Sequence, residues 1–231
     1  LTLYAIVYSR IQLSEVVDTL AAAIIIGVAM PDTFIAQHIE RDLLGEELIS
    51  RLSVPDEATL PLSIRELFTE FRRDYGFVPN WLAALAVNPD TAYRMVVFYR
   101  HLFDPERSLL TAVDRELLAV VTSAANHCGY CVLNHTKTLG AALGDRNLAL
   151  RIALGHGHVK LTERELALAE TAEQLTRDPV GLNSEALIRL RALGFSEAAI
   201  VEILEVSAFF NYANRLTVPL AVVPDKQFFS K

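Results

Sequence analysis

Apolar residues recur along this chain with the spacing of helices. Ile64, Leu67, Phe68 and Phe71 form one stripe behind Ser63, and the helix they predict stops near Gly76. Pro79 disfavours helix at Val78, so Phe77-Val78-Pro79-Asn80 reads as a connector. A short apolar helix is predicted over 81–87, closed by Asn88-Pro89, and an aromatic-rich one over 91–102. Thr111 with Asp114 three residues later resembles a capping box. It opens a helix that carries Val113, Leu117, Leu118, Val120 and Val121 to about Ala125. Asn126-His127 reads as a break, and the next helix begins near Cys128 and runs to about Leu139 or Gly140. Further helices are predicted over 145–154, 162–177 (a second capping box, Thr162 with Glu165), 184–193, and from Ser196 to about Leu216. No segment shows a convincing strand period of two. The fold class is therefore all-α, a bundle of roughly eight to ten helices. Residues 111–121 and 196–206 share a pattern, either a faint internal repeat or two amphipathic helices of one period.

Composition narrows the function classes. The chain has 231 residues, 52% of them hydrophobic, enough for a sizeable core without disulfide staples. That length fits one large domain or a domain plus an extension. The formal charge is −7, from 28 acidic and 21 basic residues, with no run of Lys or Arg. Such a surface repels phosphate, so nucleic acid is not an expected partner. Near the N-terminus, Ala21 to Ala29 is a short apolar run behind Arg10, Glu15 and Asp18. It is shorter than the roughly 18–20 residues that span a bilayer, and a signal peptide would have a cleaner apolar core. No membrane association is expected. Residues 1–29 read as an extension, or as translated sequence upstream of the true start at Met30, and carry no assigned function.

Chemistry concentrates in one place. The two cysteines, Cys128 and Cys131, are three positions apart in an otherwise cysteine-free chain. A secreted disulfide scaffold would use more, at wider spacings, so a reducing, cytoplasmic setting is expected. Three helical residues turn about 300°, which leaves the two side chains about 60° apart on one face, close enough to form a disulfide. If Cys128 opens its helix, the backbone N–H groups and the helix dipole favour a thiolate there. His135 lies four residues after Cys131, about 6 Å further along the same face. It can reach the Cys131 sulfur, directly or through one water, more easily than Cys128, and can take a thiol proton. A hydrogen-bonded base acts on one proton while a dipole acts diffusely, which favours Cys131 as the nucleophile. Glu116, on the preceding helix, can orient His135 if the two helices pack antiparallel.

The stretch Glu116-Leu-Leu-Ala-Val-Val-Thr-Ser-Ala-Ala-Asn-His-Cys-Gly-Tyr-Cys-Val-Leu-Asn-His135 resembles the alkylhydroperoxidase D signature, within the carboxymuconolactone decarboxylase superfamily. Ile49-Ser-Arg-Leu-Ser-Val-Pro-Asp56, Gly76-Phe-Val-Pro-Asn80 and Phe210-Asn-Tyr-Ala-Asn-Arg215 resemble its branch of uncharacterised peroxidase-related enzymes. The resemblance covers about 48–228, which divides the chain into an extension of unknown role, 1–47, and an AhpD-like all-helical domain, 48–231. It implies a helical bundle with the CxxC at the start of a central helix, and a homo-oligomer, trimeric or hexameric. It implies a thiol-dependent peroxidase that reduces alkyl hydroperoxides with no bound cofactor. Cys131 would be the peroxidatic residue, Cys128 the resolving one, and Glu116 and His135 the proton relay. An external dithiol, such as a lipoyl group on a partner protein, would re-reduce the pair. Tyr130 departs from the pattern, since some peroxidase members carry His there. That departure keeps a second reading alive: a dithiol–disulfide oxidoreductase or redox sensor without a significant peroxidase rate.

The same residues admit plainer roles. Cys128 and Cys131 could be buried thiols. With His135, and with His127, His156 or His158 as a fourth ligand, they could hold zinc, although a structural zinc site usually draws on two separate loops. His156 and His158 otherwise decorate a Gly-rich turn. Glu116 could be a solvated helix charge. Phe209, Phe210, Tyr212 and Trp81 could pack the core or line an apolar substrate pocket.

Overall fold

A computed structural model of the chain describes residues 48–228. The expectations for 1–47, including the apolar run Ala21 to Ala29, lie outside the described residues. Among the described residues there are nine α-helices and no strand. They are α1 (Leu62–Tyr75), α2 (Asn80–Leu85), α3 (Pro89–Leu102), α4 (Ala112–Ala125), α5 (Gly129–Leu143), α6 (Arg146–Gly155), α7 (Glu163–Arg177), α8 (Ser184–Ala192) and α9 (Glu197–Thr217). The all-α class expected from the sequence is the class observed.

Local chemistry sets most of the boundaries. Thr111 with Asp114 and Thr162 with Glu165 form complete capping boxes at the starts of α4 and α7. The α1 stripe of Ile64, Leu67, Phe68 and Phe71 is buried, and Gly76 ends the helix with φ 82°. Helix α3 starts two residues before the expected Thr91. Asn88 caps it by accepting from the Thr91 N–H, and Pro89 occupies a first-turn position where a missing N–H costs nothing. The expected stop at Leu139 or Gly140 is corrected: α5 runs on to Leu143, with Gly144 in the left-handed region as its cap. A Cβ on Gly140 would sit 3.1 Å from the Arg146 Cα, so this glycine lets α6 approach closely.

Helix α4 is the centre of the bundle. Every residue from Asp114 to Ser123 is buried, and α5, α6, α7 and α9 pack around it. Its charged residues are therefore matched. Arg164 of α7 pairs with Asp114. Arg115 donates to the Leu110 carbonyl at 2.6 Å and lies 5.7 Å over the Phe103 ring. Glu116 faces α5.

After α9 the chain reverses at Ala221 (φ 49°) and returns as a short strap, 218–225. The Arg51 N–H donates to the Leu220 carbonyl at 2.8 Å, and the Val223 N–H to the Ile49 carbonyl at 3.0 Å. At the start of α2, the Asn80 backbone N–H donates to Asp225 Oδ1 and its side chain to the Val223 carbonyl, both at 2.8 Å. The strap thus ties both ends of the domain to the region of the cysteines.

Candidate active site

The expected break at Asn126-His127 is a tight reversal between α4 and α5. The His127 N–H donates to the Ala124 carbonyl and the Cys128 N–H to the Ser123 carbonyl, with His127 held at φ 56°. This is the double bond pattern that closes a helix through a left-handed residue, a place usually given to glycine. The reversal delivers Cys128 directly to the N-cap of α5, and the Val132 N–H donates to its carbonyl at 2.9 Å. Cys131 follows in the first turn, and His135 one turn later.

Helix α5 lies against α4, which sets His135 opposite Glu116. Their side chains meet at 2.8 Å, Nδ1 to Oε2, and both residues are buried. Thr138 donates to the same carboxylate oxygen at 3.0 Å. The imidazole is thus held through Nδ1, leaving Nε2 as the other ring nitrogen, and the Phe210 ring stands edge-on to it, centroids 4.6 Å apart. Glu116 is a buried partner of His135, not a solvated charge.

The two thiols are both free and both buried, and they do not share charge evenly. Interaction with the Cys131 side chain lowers Cys128 to about 7, against a desolvation cost, with help from the Cys131 backbone N–H, Asn214 and His135. The converse interaction with Cys128, together with burial, pushes Cys131 well above its ordinary value. These interactions favour the thiolate at Cys128 over Cys131. His135 spends its Nδ1 on Glu116, while the start of α5 and the Cys131 thiol both act on the Cys128 sulfur.

Access points the other way. A cavity of about 150 Å³ has Cys131 and His135 in its wall, with Tyr130, Trp81, Phe209 and Phe210 beside them. Cys128 does not reach it and is 1% exposed, against 7% for Cys131. Phe209 and Phe210 serve both as core and as cavity wall, Trp81 is half-buried in that wall, and Tyr212 is 40% exposed.

Three further residues, Asn214, Thr217 and Asp225, complete the site. Asn214 on α9 acts on both sulfurs and Thr217 on Cys131, each favouring the thiolate. The Asn214 amide is fixed by the end of α4: its Oδ1 accepts from Asn126 at 3.0 Å and its Nδ2 donates to Ser123 Oγ at 3.2 Å. Asp225 accepts a short hydrogen bond from the Tyr130 hydroxyl, so the phenol at the departing position is tied to the strap. Burial raises both Tyr130 and Asp225 above their ordinary values. The usable signal for Asn214 was an amide inside an apolar helix stretch; Asp225 gave none.

Among the described residues, the other histidines lie apart from this cluster. His127 and His158 are exposed, and His156 meets Glu173 at 3.5 Å. Among the described residues, no group of three or more His, Cys, Asp or Glu side chains is placed to hold a metal ion. Nor, among them, is any helix long and apolar enough to cross a membrane.

Residues 89–159, from α3 to the turn after α6, match the model of the carboxymuconolactone decarboxylase family. A crystal structure from Ralstonia eutropha JMP134, an alkylhydroperoxidase AhpD core described as an uncharacterised peroxidase-related protein, is 31% identical. It aligns over 79% of this chain and 96% of its own, with a TM-score of 0.74. The chain is an AhpD-like member of the carboxymuconolactone decarboxylase family. An uncharacterised peroxidase-related protein from Silicibacter sp. TM1040 is 27% identical over 80% of this chain and 96% of its own, again with a TM-score of 0.74. The debrominase Bmp8 shares the fold of this AhpD-like chain, at 21% identity over 79% of this chain and 94% of its own, with a TM-score of 0.62. No curated protein matches it significantly.

Proposed function

We propose that the chain is a thiol-dependent peroxidase that reduces alkyl hydroperoxides at Cys131 and Cys128. The observation that carries this reading is the cavity whose wall holds Cys131 beside a His135 fixed by Glu116. The Cys131 proton first passes to His135. The Cys131 thiolate then attacks the terminal oxygen of the hydroperoxide, the O–O bond breaks, and the sulfur becomes a sulfenic acid. His135, poised by Glu116, supplies the proton that turns the departing alkoxide into an alcohol. The Cys128 thiolate then attacks the Cys131 sulfur, the disulfide forms, and hydroxide leaves, taking a proton from solvent to become water. An external dithiol returns the pair to the reduced state, and a lipoyl group on a partner protein has that chemistry. A homo-oligomer, trimeric or hexameric, belongs to the same reading.

Cysteine variants test it. Cys131→Ser should lose peroxide consumption altogether. Cys128→Ser should form the sulfenic acid once, trappable by dimedone, and then stop. Full turnover by Cys131→Ser would overturn the mechanism.

A second reading is a dithiol–disulfide oxidoreductase or redox sensor. It is favoured by the tie between Tyr130 and Asp225, which commits the phenol to structure instead of a proton relay. Slow oxidation by peroxide together with rapid exchange against protein disulfides would favour it.

A further inference from the structure

The oxidised pair offers a reductant two sulfurs, and the fold treats them differently. Cys131 forms part of the cavity wall and Cys128 does not. Val222 and Leu220 of the strap share one apolar cluster with Ala84, Cys128, Tyr130 and Cys131. The strap is fastened to Ile49 and Arg51 on one side and to Asn80 and Tyr130 on the other. The strap thus packs against the pair as a whole, and the difference in access comes from the cavity, which Cys131 (7% exposed) lines and Cys128 (1% exposed) does not.

We propose that the external dithiol attacks the Cys131 sulfur through the aromatic cavity and expels Cys128, which has no face on that cavity. This rests on the dithiol part of the reading above and assigns the step that closes the cycle. The donor, as a thiolate after losing one proton to solvent, bonds to Sγ of Cys131. The Cys128–Cys131 bond breaks and Cys128 leaves as a thiolate. The donor's second thiol then attacks the donor sulfur of the mixed disulfide. Cys131 leaves and takes up that thiol's proton. The donor ends as a disulfide, having given two electrons, and the pair ends as one thiol and one thiolate. The lowered pKa of Cys128 supports the same direction, because the more acidic thiol is the better leaving group.

The test needs no peroxide. The full chain is oxidised with diamide, mixed briefly with 2-mercaptoethanol, quenched in acid and alkylated with N-ethylmaleimide. Peptide fragmentation should then find mercaptoethanol on Cys131 and maleimide on Cys128; the reverse assignment overturns the proposal. Single-cysteine chains give a second measurement with a disulfide dye, read on the alkaline plateau where every thiol is ionised. Cys131 in the Cys128→Ser chain should react roughly tenfold faster than Cys128 in the Cys131→Ser chain. Equal or inverted rates would overturn the proposal. Failure of peroxide turnover alone would sink the peroxidase reading and leave this assignment standing.

Discussion

Cys128 ends a chain reversal and begins a helix, so its sulfur meets the Cys131 backbone N–H, the Cys131 thiol and the Asn214 amide together. These interactions outweigh desolvation and bring it to about 7. The pair should therefore lose its first proton near pH 7 and its second well above 9. A thiolate is the reactive form, so the sign is fixed: alkylation and disulfide exchange should rise with pH through about 7 and then level off. Thiolate absorbance at 240 nm measures this directly, and a single step near pH 9 would contradict it. The catalytic candidates could be read from the sequence because their relations are local, one helical turn between Cys131 and His135 and one reversal between Glu116 and the pair. Asn214 and Asp225 could not be read that way. Asn214 meets Asn126 from 88 positions away and Asp225 meets Tyr130 from 95, and no local spacing encodes contacts of that length.

At the scale of the element, caps and stripes carried the boundaries, since each depends on residues within one turn of the other. Gly140 misled because a helical glycine can serve as a stop or as a close-approach point, and only the position of α6 decides between them. The α4–α5 reversal holds the cysteines at a cost. His127 occupies a left-handed position that disfavours residues with a Cβ by roughly 1–2 kcal/mol. His127→Gly should therefore raise stability by up to about 1 kcal/mol, after the entropy of glycine in the unfolded chain is counted. A urea melt checks this, and destabilisation would show that the imidazole makes a contribution larger than the strain.

The whole molecule surrounds α4 with helices and places the redox pair where α5, α9 and the strap converge. Its apolar composition made a large helical core legible in advance. The difference in access between the two sulfurs came only from the assembled fold, because the cavity draws on α1, α2, α3 and α9. Trp81, the single tryptophan, stands in the cavity wall with Cys131 and reports on it optically. The most direct test of peroxidase function is therefore a stopped-flow reaction of the reduced full chain with cumene hydroperoxide, followed by Trp81 fluorescence. The account predicts a fluorescence change whose rate grows linearly with hydroperoxide, far faster than oxidation of free cysteine at the same pH, with two thiols lost per hydroperoxide consumed. A rate no greater than that of free cysteine, or an unchanged rate in Cys131→Ser, would contradict it.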